Sequence, residues 1–257
     1  MSLSELKDAI LEDGIIDADE VAKLKEVLYD DGVIDREEAD LLFELNDATS
    51  GKENDASWGE LFVKALTDHV LEDEESPGVL DADEAKYLKE KIEGDGVVDS
   101  NELALLVSVS ANATGEAPAD FNSFVLSSLK AAIIDDGIVD AAEVEMLKSV
   151  IYGAGGAGGS SVDREEAELL FAINNATTDN EGHDASWQAF FVEAIGKHVL
   201  EDEESPGDID ADEGDWLIAQ IGEDGQVDAN EKALMQHIKA NATNIAGKFN
   251  FQINMWV

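Results

Sequence analysis

Carboxylates dominate the chemistry open to this chain, and they recur in one phrase: Asp-Gly, any residue, an aliphatic, Asp, two residues, Glu. The first copy is Asp13-Gly14-Ile15-Ile16-Asp17-Ala18-Asp19-Glu20, and full or degraded copies follow at 31–38, 78–84, 95–102, 136–143, 162–166, 207–213 and 224–231. Oxygen ligands spread through an acidic loop that bends at a glycine are what a hard cation such as Ca2+ takes in an EF-hand. Two copies come nearest to that ligand order when the phrase Glu is set at its last position. They place Asp73, Glu75, Gly78, Leu80, Asp81 and Glu84 in one loop, and Asp202, Glu204, Gly207, Ile209, Asp210 and Glu213 in the other. Pro77 and Pro206 stand where a further Asp is expected, so water would complete the shell. The eight carboxylates Asp73, Glu75, Asp81, Glu84, Asp202, Glu204, Asp210 and Glu213 are therefore the expected Ca2+ ligands. Asp13, Asp17 and Glu20, and likewise Asp136, Asp140 and Glu143, form weaker sets. Ala9 and Leu11, and Ala132 and Ile134, fill the front positions of those loops. In the copy ending at Glu102, Lys91 puts a cation where the metal would sit.

A second reading of the phrase needs no metal. Gly just past a helix is the common left-handed cap, and Asp followed by Glu at the third helical position makes a capping box for the next helix. The aliphatic between them then plugs the core. In three of the four units the phrases recur 18 residues apart. The helix between them would be roughly 16 Å long, which sets neighbouring phrases at opposite ends of it. Pairing of loops, as EF-hands pair, would therefore have to run between units.

Other chemistry finds little footing. His69, His183, His198 and His237 are the histidines. His69 and His198 share a helical face with Trp and Phe, at a helix end where a structural role is expected. No nucleophile elbow, HExxH or dinucleotide glycine fingerprint is present, and the expectation is a non-enzymatic protein. The Asn-Ala-Thr triplets at Asn112, Asn175 and Asn241 read as helix-end caps. Without cysteine, disulfides and thiolate metal sites are excluded.

Sixty acidic side chains against sixteen basic ones give a formal charge of -44. Such a field repels nucleic acid and anionic membranes and attracts cations, so divalent cations are expected partners. Adaptation to high salt is the competing reading, but Arg36 and Arg164 are the only arginines. No apolar run reaches the ~18 residues of a membrane span, and the start of the chain lacks the layout of a secretory signal. A cytoplasmic location is expected.

The elements that must position these carboxylates are helices. Val21, Leu24, Val27 and Leu28 fall at helical spacing, as do Leu41, Leu42 and Leu45. The chain is also repetitive. HVLEDEESPG at 69–78 recurs letter for letter at 198–207, Asp55-Ala-Ser-Trp58 at Asp184-Ala-Ser-Trp187, and Asn112-Ala-Thr at Asn241-Ala-Thr. Each half is itself double, since Asp17-Ala-Asp-Glu20 matches Asp81-Ala-Asp-Glu84. Gly115 and Pro118 interrupt the helical pattern, which divides the chain into 1–117 and 118–257. The Gly-rich run at 153–161 reads as an insertion. At the end, Phe249, Phe251, Ile253, Met255 and Val257 alternate with polar residues or Trp256, a strand pattern. A lone strand of this kind could add to a neighbouring subunit, so residues 249–257 are the expected route to a homo-oligomer or to a protein partner.

The phrase resembles the helix junctions of all-helical bacterial modules of the TerB (tellurite-resistance) type, duplicated in tandem over nearly the whole chain. The resemblance implies an acidic all-α protein with metal-binding surface carboxylates and a link to stress response. Asp13, Asp17 and Glu20 and their equivalents are the positions that match. The duplication, the Gly-rich run and the terminal segment depart from that pattern, and the resemblance carries no tellurite chemistry.

Overall fold

The computed structural model describes residues 3–30, 32–72, 76–94, 96–153, 161–201, 205–223 and 225–257. Within them the chain is helical, and two compact units are distinguished, Met1–Val125 and Leu126–Val257.

The first unit holds α1 (Leu3–Asp13), α2 (Ala18–Leu28), α3 (Arg36–Thr49), α4 (Ala56–Leu71), α5 (Ala82–Ile92), α6 (Ser100–Asn112) and the start of α7 (Ala119–Asp136). Its axis is α4, which packs against α6, α3 and α2. Trp58, Leu61, Phe62, Ala65, Leu66 and Val70 supply the buried face at three- and four-residue spacing. Each large side chain buried there contributes roughly 1.5–3 kcal/mol. Phe43 of α3 meets Phe62 edge-on, 5.5 Å between centroids.

The second unit takes the rest of α7, then α8 (Ala141–Tyr152), α9 (Arg164–Thr177), α10 (Ala185–Leu200), α11 (Ala211–Ile221), α12 (Ala229–Asn241) and α13 (Gly247–Trp256). Here α10 is the axis, against α12, α8 and α9. Phe171 on α9 meets Phe191 on α10 at 5.3 Å. Two short parallel strands, β1 (Asp208–Ile209) and β2 (Asn244–Ile245), pair Asp208 with Asn244 and Ile209 with Ile245.

The helical interruption expected at Gly115 and Pro118 lies between α6 and α7. The Pro118 carbonyl accepts the Phe121 and Asn122 N–H groups, so the proline starts α7. The division into compact units falls within that helix, between Val125 and Leu126. Of the Gly-rich run, 154–160 lies outside the described residues.

The terminal alternating segment is not a strand. It is α13, and it packs on α11 and α12. Phe249 and Ile253, four apart, are buried, whereas Phe251 and Met255, also four apart, face outward. Both patterns fit the same letters, and a docking surface decides between them. Gly214 on α11 has no side chain, and a Cβ there would come within 2.9 Å of the Phe249 Cβ. That gap lets Phe249 seat against the helix backbone.

The two arginines have a packing role. The Arg36 guanidinium lies 3.3 Å from the Tyr87 ring centroid, and that of Arg164 lies 4.7 Å from the Trp216 ring. Among the described residues, no helix is long and apolar enough to cross a membrane.

Candidate functional site

The carboxylates of the phrase are mostly engaged with backbone. At the first copy, the Gly14 N–H closes α1 on the Ile10 carbonyl at 2.8 Å with φ of 74°. Asp13 Oδ1 accepts the Ile15 N–H at 3.1 Å, and Ile16 is fully buried. Asp17 Oδ1 then accepts the Glu20 N–H at 2.8 Å, while Glu20 Oε2 accepts the Asp17 N–H at 3.1 Å. The set at Asp136, Asp140 and Glu143 repeats this: Asp136 takes the Ile138 N–H, and Asp140 and Glu143 close a reciprocal box at 2.9 Å. Burial first, and then the charges of Asp140 and Asp136, push Glu143 above the usual carboxylate range. The same reciprocal box opens α2, α3, α5, α6, α8, α9, α11 and α12. Oxygens that a metal would take therefore already hold helix N-termini.

Of the two fullest loops, Asp73, Glu75, Asp202 and Glu204 lie outside the described residues. The remainder of each loop is built alike. Gly78, at φ of 81°, donates to the Leu71 carbonyl at 2.6 Å, and Gly207, at 82°, donates to Leu200 at 2.8 Å. Only a residue without a Cβ takes this backbone without strain. The Gly78 carbonyl accepts the Thr114 N–H and hydroxyl, and the Gly207 carbonyl accepts the Thr243 N–H at 2.6 Å. Leu80 and Ile209 plug the core. Asp81 with Glu84, and Asp210 with Glu213, form capping boxes. An EF-hand uses both oxygens of its last glutamate. Here Glu84 Oε2 accepts the Asp81 N–H at 2.9 Å, so a cation held that way must displace the cap. Among the described residues, no group of three or more His, Asp or Glu side chains is arranged to hold a metal ion. Ile209 pairs with Ile245, the segment that follows α12.

A polar network that the sequence reading missed ties α3 to α6. Buried Asn46 donates to Asp99 Oδ2 at 2.8 Å and accepts from Asn101 Nδ2 at 2.9 Å, and Ser50 donates to the same Asp99 oxygen. In the second unit Asn174, Asp228, Asn230 and Thr178 make the same four-way arrangement. Its sequence signal was available: Asn46 and Asn174 both interrupt an apolar helical face before a Thr. One Asp side chain thus caps its own helix with Oδ1 and clamps a distant helix with Oδ2.

The rings of His69, His198 and His183 bind backbone. His69 Nδ1 is 2.7 Å from the Ile34 carbonyl and His198 Nδ1 is 2.9 Å from that of Val162, so each ring donates to the plug of a phrase. His183 does the reverse. Its Nδ1 accepts the Val139 N–H at 2.9 Å, and its Nε2 lies 3.1 Å from the Thr177 carbonyl. Asn54 fills the matching place in the first unit, accepting the Ile16 N–H with Oδ1 and donating to Thr49 O with Nδ2.

A groove between α4 and α6, of about 750 Å³, includes Gly59, Val63, Thr67, Ala104 and Ser108 in its lining. Thr67 and Ser108 share a hydrogen bond of 2.9 Å across it. The matching groove between α10 and α12 is about 470 Å³. There His237 replaces the serine and lies over Gly196, whose added Cβ would sit 2.9 Å from the ring.

No family model matches the chain, and neither does any curated protein or solved structure. Fold and geometry define an acidic, helical protein whose junctions are carboxylate-capped.

Proposed function

We propose that the protein is a non-enzymatic, TerB-like, calcium-binding helical protein, stress-related in role, with its sites at the duplicated acidic bends 73–84 and 202–213. One observation carries the reading. Two bends of identical sequence over HVLEDEESPG are closed by the same glycine bond and anchored by the same threonine, one in each unit. In the sequence a run of carboxylates follows directly on α4 and on α10, and the C-terminal dipole of a helix disfavours negative charge there. A divalent cation relieves that repulsion, and Asp81 with Glu84, and Asp210 with Glu213, would supply the rear ligands by loosening their boxes. The charge of -44 concentrates cations around the chain before any site is filled.

Calorimetric titration with CaCl2 in dilute salt, with melts in calcium and in chelator, tests this. The expected result is binding heat and a raised melting temperature, both lost when Asp73, Glu75, Asp202 and Glu204 are changed to their amides. No heat and an unchanged melt would overturn it.

A further inference from the structure

The outward face of α13 is apolar where the fold does not require it. Phe251 is 69% exposed and Met255 is 66%, one turn apart, with Val257 at 36% beside them. The start of α7 supplies an internal comparison. Counted from the first helical residues, Ala119 and Gly247, the buried pair Phe249 and Ile253 matches the buried pair Phe121 and Val125. Phe251 and Met255 then match Ser123 and Ser127, both exposed. The same helical positions are thus served by serine in one unit and by Phe and Met in the other.

Charge says what can cover this face. The last acidic side chain is Glu231; residues 232–257 carry Lys232, Lys239 and Lys248 and no Asp or Glu. Lys248 also pairs with Asp215 on the neighbouring α11 at 3.1 Å. Two copies each bearing -44 repel strongly when they approach through most of their surface. α13 itself carries no carboxylate and holds Asp215 of α11 in an ion pair through Lys248, so two copies that touch through its outer face bring apolar side chains together rather than carboxylates of that helix.

We propose that α13 is a self-association surface, at which Phe251 and Met255 pack against the same residues of a second copy of this chain across a two-fold axis. Because each copy contributes the same face, the assembly closes at two. Salt screens the remaining repulsion and exposes no attractive ion pair to loss, so association tightens as ionic strength rises.

Sedimentation equilibrium of the full chain at about 0.05 M and about 1 M NaCl tests it. The wild type is expected at twice 27.6 kDa, more tightly associated at high salt. Phe251→Ser with Met255→Ser is expected to weaken dimerisation roughly tenfold or more while its melt, read at a concentration where both proteins are monomeric, stays unchanged. Three results overturn the proposal. One is a wild type that stays at 27.6 kDa throughout. Another is a double variant that dimerises as well as the wild type. The third is growth beyond two copies that weakens with salt, which would mean that α13 docks on the acidic side of the next copy.

Discussion

Replacing Glu166 with Gln stabilises the protein at neutral and alkaline pH and does little in acid. Glu166 closes the capping box of α9, its Oε2 accepting the Asp163 N–H at 2.8 Å, yet it is only 2% exposed. Burial is the leading influence and pushes its pKa from 4.5 up to about 8; the Asp163 N–H opposes this, and the Asp163 and Glu165 carboxylates add to it. The folded state therefore keeps a proton that the unfolded chain releases. A raised folded-state pKa means stability that is fully present below pH 4.5 and is lost as pH rises toward about 8, after which the loss is complete. Gln cannot ionise, and its carbonyl can still accept the Asp163 N–H. The expected gain for Glu166→Gln is close to zero near pH 4.5 and on the order of a few kcal/mol above pH 8. Denaturant melts of both proteins across that range read it directly. Parallel pH profiles would mean that Glu166 is ionised and hydrated in the fold.

Truncating Phe249 to Ala is expected to cost about 3–5 kcal/mol, the range for a large aromatic removed from a filled site. Phe249 is 1% exposed and rests against the bare backbone at Gly214. With Ile253 it supplies the buried contacts of α13, a helix of ten residues that has no side-chain cap at its start. So short a helix is not stable alone in water, and its order comes from docking. Hydrogen exchange should show α13 opening first in Phe249→Ala, with urea unfolding giving the total loss. Phe251→Ala, two residues along the same helix and on its outer face, is expected within about 0.5 kcal/mol of wild type for the monomer. A similar cost at both positions would mean that α13 is not seated as described.

The junctions were the most legible part of the chain. Asp and Glu three residues apart, a preceding glycine and a single buried aliphatic are local chemistry, and local hydrogen bonds decide their fate. Ile16, Ile34, Leu80, Val139, Val162 and Ile209 are all buried where the phrase sets its aliphatic. The metal reading of the same letters was less secure for a related reason. A carboxylate has few oxygens to share, and helix N–H groups next to it in sequence reach it first. Asp17 and Glu20 show this, and so do Asp140 and Glu143.

What escaped sequence reasoning depends on partners far along the chain. Asn46 meets Asp99 across more than fifty residues, and nothing in its own neighbourhood marks it as a clamp. Whether His183 donates or accepts is set by the Val139 N–H that the fold brings to it. The terminal segment shows the limit most plainly. Alternation of Phe249, Phe251, Ile253 and Met255 satisfies a strand of period two and equally a short helix with two opposite apolar faces. By itself the sequence determined that the chain is helical between acidic caps, because capping and periodicity act within a few residues. Only the tertiary structure decided which face of the last helix is buried, because that choice belongs to a glycine on α11 that leaves room for a phenyl ring.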